Sequence, residues 1–175
     1  MDWNDFNDIV KEKIFEPIPR NTLAKVRISI KPGGYDDLSR NWTGGYATRN
    51  ASTGSIYLDV RFTILEGKYI NRQVWGKIGL HSEKSEHWSN MGRAFVKSIL
   101  SSATRISLSD NSEKARNLRK INSFADLDGL EFVAFIDIER DRNDTERNIV
   151  KWGVTPDHKD YSKYMSFNRG ISEDL

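Results

Sequence analysis

Seven residues of this 175-residue chain have types and spacings suited to gripping a polyanion: Lys25, Arg27, Tyr57, Arg61, Arg72, Trp75 and Lys77. They are cations and aromatic rings set at alternate positions of apolar/polar stretches. Cations along a groove replace the counterions condensed on a nucleic-acid backbone. Aromatic faces give each unpaired base a stacking surface, worth about 1–3 kcal/mol per base. Trp42, Tyr46 and Arg49, within a Gly-, Asn-, Ser- and Thr-rich stretch, extend the same set. Buried packing of the aromatics and ordinary solvation of the cations are the plainer alternatives for both groups.

A second set is enzymatic in type. Asp59, then Glu66-Gly67-Lys68, resembles the Asp…Glu-x-Lys arrangement of metal-dependent nucleases. Two carboxylates there could hold Mg²⁺, and the lysine could stabilise developing charge or activate water. Against this, Glu66 and Lys68 flank a turn glycine. Asp137 and Glu139 share a strand face and could also be ligands, or simply an exposed edge. Other chemistries have no footing. His81, His87 and His158 are scattered, and no HExxH, P-loop or GxSxG pattern occurs. Gly33-Gly34 and Gly44-Gly45 lack the strand–glycine–helix setting of a dinucleotide site. The absence of cysteine excludes disulfides and thiolate chemistry. No catalytic residue, cofactor or resident metal is expected.

These side chains need elements to hold them. Ile56, Leu58, Val60, Phe62 and Ile64 alternate with Tyr57, Asp59, Arg61 and Thr63, the period of a half-buried strand. Glu66-Gly67-Lys68 reads as a hairpin turn. Beyond it Val74, Ile78 and Leu80 share one face, and Gln73, Trp75 and Lys77 the other. An earlier strand sets Ala24, Val26, Ile28 and Ile30 against Lys25, Arg27, Ser29 and Lys31. Between them, 32–54 reads as a long ligand-gripping loop. Trp88, Met91, Gly92, Phe95, Val96, Ile99, Leu100 and Ala103 mark an amphipathic helix with Ser85 as its N-cap. A short helix fits 112–120. Leu130–Glu139 and Asn148–Thr155 read as the last two strands, joined by a solvated 140–147 loop, with Phe135 and Trp152 expected to be buried. Five strands with a helix between the third and fourth make a mainly β fold of OB type, a small, partly open barrel.

Charge is unevenly spread. Residues 1–19 are net −3, 20–105 net +8 and 106–150 net −3, within a chain of net +2. A basic block suggests a polyanion partner. Residues 1–19 read as an N-terminal extension with a short amphipathic helix, 20–156 as the barrel domain and 157–175 as a loose tail. No run approaches the length of a membrane span, and the acidic start is unlike a signal peptide. The expected place is the cytoplasm.

The strings FEPIPRNTLAKVRI, TGSIYLDVRFTILEGKYINRQVW, LDGLEFVAFIDIE and NIVKWGV, with a helix carrying Gly92 in its first half, resemble a family of phage-encoded OB-fold single-stranded DNA-binding proteins. The similarity spans residues 15–155 and is one of turns and alternation. Asn21-Thr22-Leu23 stands where the family has a glycine-tyrosine strand start, and Asn71 where it has a glycine before Arg72. The resemblance implies sequence-tolerant binding of single-stranded DNA in phage or prophage replication or recombination, in the host cytoplasm. Replication or recombination proteins would be recruited through the acidic C-terminal residues 171–175, and a homo-oligomer is compatible with it. A nuclease using Asp59, Glu66 and Lys68, or a protein-interaction or inhibitor module, are the alternatives.

Overall fold

The computed structural model describes residues 3–7 and 16–165. Within them, seven antiparallel strands form one open sheet: β1 (Thr22–Lys31), β2 (Tyr35–Asp37), β3 (Trp42–Arg49), β4 (Ile56–Ile64), β5 (Gln73–His81), β6 (Glu131–Arg140) and β7 (Glu146–Val154). Three helices accompany them: α1 (Glu86–Ala103), α2 (Glu113–Leu118) and α3 (Tyr161–Tyr164). β1 is the hub. One of its edges carries β4, from Val26↔Ile64 to Lys31↔Asp59, and the other carries β6, from Thr22↔Ile136 to Arg27↔Glu131. β4 pairs with β5 along its length, and its opposite edge takes up β3 at Thr48↔Tyr57 and Arg49↔Ile56, where β1 has ended. β7 pairs with β6. Among the described residues no ladder joins β5 to β7, although the two strands come into contact.

The alternation dictates which face is buried. Val26, Ile28, Leu58, Phe62, Ile64, Ile78, Phe132 and Ile136 all point into one core and are essentially inaccessible. Burying each such side chain is worth about 1.5–3 kcal/mol. Phe62 sits at the centre, edge-on to Phe95 at 6.0 Å and to Phe132 at 5.8 Å. Ile18 closes one end of the core. Its backbone N–H donates to Asn148 Oδ1 at 2.8 Å, and the Asn148 amide donates back to the Ile18 carbonyl at 2.8 Å.

The helix α1 seats on the sheet backbone to backbone. A Cβ at Gly92 would lie 1.9 Å from the Gly79 carbonyl oxygen, and one at Gly153 would lie 2.5 Å from that of Ser98. Three serines on the packed face of α1 satisfy polar groups the core would otherwise strand. Ser98 Oγ accepts from Gly153 N–H at 2.8 Å, Ser102 Oγ from Val133 N–H at 3.0 Å, and Ser101 Oγ from Arg119 Nε at 3.1 Å. Ser85 holds the N-cap position with extended backbone and makes no side-chain cap bond, whereas Ser112 does cap α2.

Several sequence expectations are corrected. Residues 32–54 are not an irregular loop. They hold β2 and β3, paired at Tyr35↔Ala47 and Asp37↔Trp42 and joined through a 3-10 turn that Asp37 caps. The β4–β5 connection is longer than a tight turn. It runs over 65–72, with Gly67 at φ +85° and Asn71 at φ +68°. Asn21 is also left-handed, at φ +60°. Asparagine is among the side chains that best tolerate that region. Residues 157–165 are not loose: Tyr161 and Met165 pack on Val133 and Val154, and the Tyr161 hydroxyl donates to the Ser102 carbonyl at 2.6 Å. Trp152 is 46% exposed and stacks on Phe135 with centroids 4.7 Å apart, because it lies on the outer face of β7. The N-terminal helix falls largely outside the described residues. So do residues 171–175.

Two outcomes follow from these contacts. Gly92→Ala forces a methyl into a backbone oxygen that cannot rotate away, so denaturant unfolding is expected to show a loss of roughly 1–3 kcal/mol or more. Asp157 is held down to about 2 by the Ser107 and Thr155 hydroxyls and the Leu108 N–H. A lowered carboxylate contributes stability above its ordinary value that is lost as pH falls through the folded value. Asp157→Asn should therefore lower the melting temperature at pH 7. The gap from wild type should shrink between about 3.8 and about 2.

Candidate nucleic-acid interface

Outward positions of β4 and β5 are brought side by side by their register. Arg61 lies opposite Trp75, and Asp59 opposite Lys77. On the other side of β4, Ser29 faces Arg61 and Lys31 faces Asp59. Trp75 is 61% exposed although it stands mid-strand, where solvent gains nothing from an indole. The Lys77 ammonium sits 4.6 Å above the Tyr57 ring, holding a cation on an aromatic face. The wall thus alternates two planar rings with cations across two adjacent strands. Along each strand these outward side chains recur at every second residue, with Asp59 standing between Tyr57 and Arg61.

Charge pairing separates this wall from the rest of the sheet. Lys25, Lys31, Arg61 and Lys77 enter no ion pair among the described residues. On β6 and β7 the cations are matched. Asp137 takes Arg20 at 3.3 Å and Lys151 at 3.1 Å, Glu139 takes Arg147, and Arg140 takes Asp144 and Glu146. The Ile138 N–H, then Lys151, hold the Asp137 carboxyl below its usual range. Exposed pairs of this kind add little stability. Their effect is to cancel the field over that half of the molecule.

The remaining sequence candidates divide. Lys25 is half-buried on β1, and Arg27 is exposed but tied to Glu131 at 2.7 Å. Arg72 donates to the Glu16 carbonyl at 3.0 Å. Arg49 is exposed at the end of β3, next to the start of β4. Trp42 and Tyr46 are half-buried against the core. Trp42 lies 6.2 Å from Phe124 with the Arg40 guanidinium 5.1 Å above it. The nuclease set is not assembled. Asp59 lies five residues, roughly 17 Å, along β4 from Ile64, with Glu66 and Lys68 beyond that in the connection. Among the described residues no three His, Asp or Glu side chains gather as a metal site.

Sequence reasoning missed the groove beside the wall. Between β5 and β7 runs a cleft of about 670 Å³ floored by Phe62, Phe95 and Val150. Trp75 and Lys77 form one lip and Arg147 and Lys151 the other. The missing ladder between the two edge strands opens it, and no local sequence pattern marks an absent ladder.

Exposure gives Trp75 and Trp42 opposite roles in stability. Trp75→Ala is expected to change unfolding free energy by no more than about 0.5 kcal/mol, as surface substitutions do. Trp42→Ala should cost at least about 1 kcal/mol by opening a void over Phe124. Paired chemical denaturation curves check both.

No protein-family model and no curated protein matches this sequence. The chemistry of the wall therefore stands as the argument for function.

Proposed function

We propose that the chain is an OB-fold protein that binds single-stranded DNA, with little sequence preference, along the outer face of β1, β4 and β5. The connectivity supports the fold reading: β1 bridges β4 and β6, and α1 is inserted between β5 and β6. In that fold the second and third strands, here β4 and β5, and the loops after the first and fourth strands hold the ligand. Those loops correspond to the β2–β3 arm and the 141–145 turn. One observation carries the binding reading: the exposed Arg61–Trp75 pair beside the Lys77–Tyr57 pair, on a face whose cations are largely unmatched. No described helix is long and apolar enough to cross a membrane. The setting we infer is phage or prophage replication or recombination in the host cytoplasm, with DNA as the partner and no catalytic step.

Titration with an unlabelled single-stranded oligonucleotide is expected to quench tryptophan emission. Trp75→Ala should weaken binding by about 1–3 kcal/mol. Arg61→Ala and Lys77→Ala should each lower the magnitude of the log K against log salt slope by up to about 0.7. No quenching, or slopes unaltered in both variants, would move the site elsewhere. Shortened oligonucleotide in Mg²⁺ would turn the reading to a nuclease, and no affinity for any polyanion at low salt would turn it to a protein-interaction module.

A further inference from the structure

A second cleft, of about 550 Å³, lies on the far side of α1 from the β5–β7 groove. Its walls are apolar, with Trp42, Val96, Ile121 and Phe124 among them, and no acidic residue lines it. Two cations stand on its rim, Arg93 and Lys97, one turn apart on the same helix face. Both are exposed, and neither is in an ion pair among the described residues. Arg119 also lines the cleft, but its guanidinium is spent inward, on Ser101 Oγ and the carbonyls of Asp110 and Ser107. The cleft therefore suits a ligand with a bulky apolar body and negative charge at its edge.

The chain carries one such group. Trp3 and Phe6 are 81% and 61% exposed and pack edge to face, centroids 5.7 Å apart. Asp5 lies between them in sequence. Its carboxylate accepts from the Asn7 backbone N–H at 3.1 Å and the Asn7 amide at 2.6 Å, which fixes the turn that presents both rings. Residues 1–19 are net −3. The turn is thus a preformed acidic aromatic hook, and a preformed ligand forfeits little ordering entropy on docking.

We propose that the Trp3–Phe6 hook of one copy docks in the α1 cleft of a second copy, Asp5 facing Arg93 and Lys97. The contact is between unlike surfaces, so it links copies head to tail. It is independent of the DNA-binding reading. In this structure the hook is not in its own chain's cleft: neither Trp3 nor Phe6 lines it, and both rings stay mostly exposed, open to a neighbouring copy.

Sedimentation velocity from low to high micromolar concentration at low salt tests this. Wild type is expected to gain mass with concentration. Trp3→Ala/Phe6→Ala (cleft only) and Arg93→Glu/Lys97→Glu (hook only) should each stay monomeric. Trp3, Phe6, Arg93 and Lys97 are all exposed, and circular dichroism checks that both variants keep the fold. Mixing the two variants should restore a complex that stops at one copy of each, because only one hook and one cleft remain. A monomeric wild type throughout, variants that associate as wild type does, or a mixture that stays monomeric would each overturn the proposal.

Discussion

The structure depends on how closely α1 can approach the sheet. Gly92 lies on the Gly79 carbonyl and Gly153 on that of Ser98, so one helix touches the backbones of both unpaired edge strands at once. A side chain at either glycine would push the helix away and uncover Phe62 and its edge-on partners. The serines complete the seat: Ser98 and Ser102 accept from strand N–H groups, which a purely apolar helix face would leave buried and unsatisfied. With α1 holding β5 and β7 near each other on the core side, no ladder is needed between them. The groove that results lies directly beside the Trp75 wall.

Charge then divides the outside of the sheet into two working halves. Both hairpins carry aromatic and basic side chains outward, and the Trp152–Phe135 ring stack is as conspicuous as Trp75 beside Arg61. What separates them is neutralisation. Lys151, Arg147, Arg140 and Arg20 each have a carboxylate, whereas Arg61, Lys31 and Lys25 do not. A polyanion displaces counterions only where cations are available to it. The unmatched cations of the β4–β5 half support the proposed polyanion site there, and the paired charges of the β6–β7 half offer it less.

Much of this was legible in the sequence, for a physical reason. Strands β1, β4 and β5 bury one face each, so their apolar residues fall at every second position and the alternation reports both the strand and its outward side chains, whereas β6 also buries Val133 on its other face, against Tyr161 and Met165. The amphipathic stripe of α1 was readable in the same way. Where burial does not impose a period, the signal vanished. β2 and β3 bury only Ala47 and are held by ladder bonds and by Asp36 accepting from Gly45 N–H, so a Gly- and Thr-rich composition disguised them as loop. The buried Ser98 and Ser102 of α1 carry no local mark in the sequence, because their partners are strand amides far away in the chain. Trp152 read as core because a Trp within NIVKWGV looks apolar. A bulge in the β6–β7 ladder, between Phe135 and Ile136, alters the alternation there. Asn21 and Asn71 adopt left-handed backbone, a conformation no hydrophobic period reports.

The central claim is that single-stranded DNA lies on the β4–β5 wall. Its most direct test is photocrosslinking of an oligonucleotide carrying 5-iodouracil, followed by mass spectrometry of the conjugated peptides. Crosslinks are predicted at Trp75, which is 61% exposed, and at the half-buried Tyr57, whose ring carries the Lys77 ammonium. Crosslinks confined to Trp152, or spread over the exposed aromatics without preference for the wall, would contradict the account.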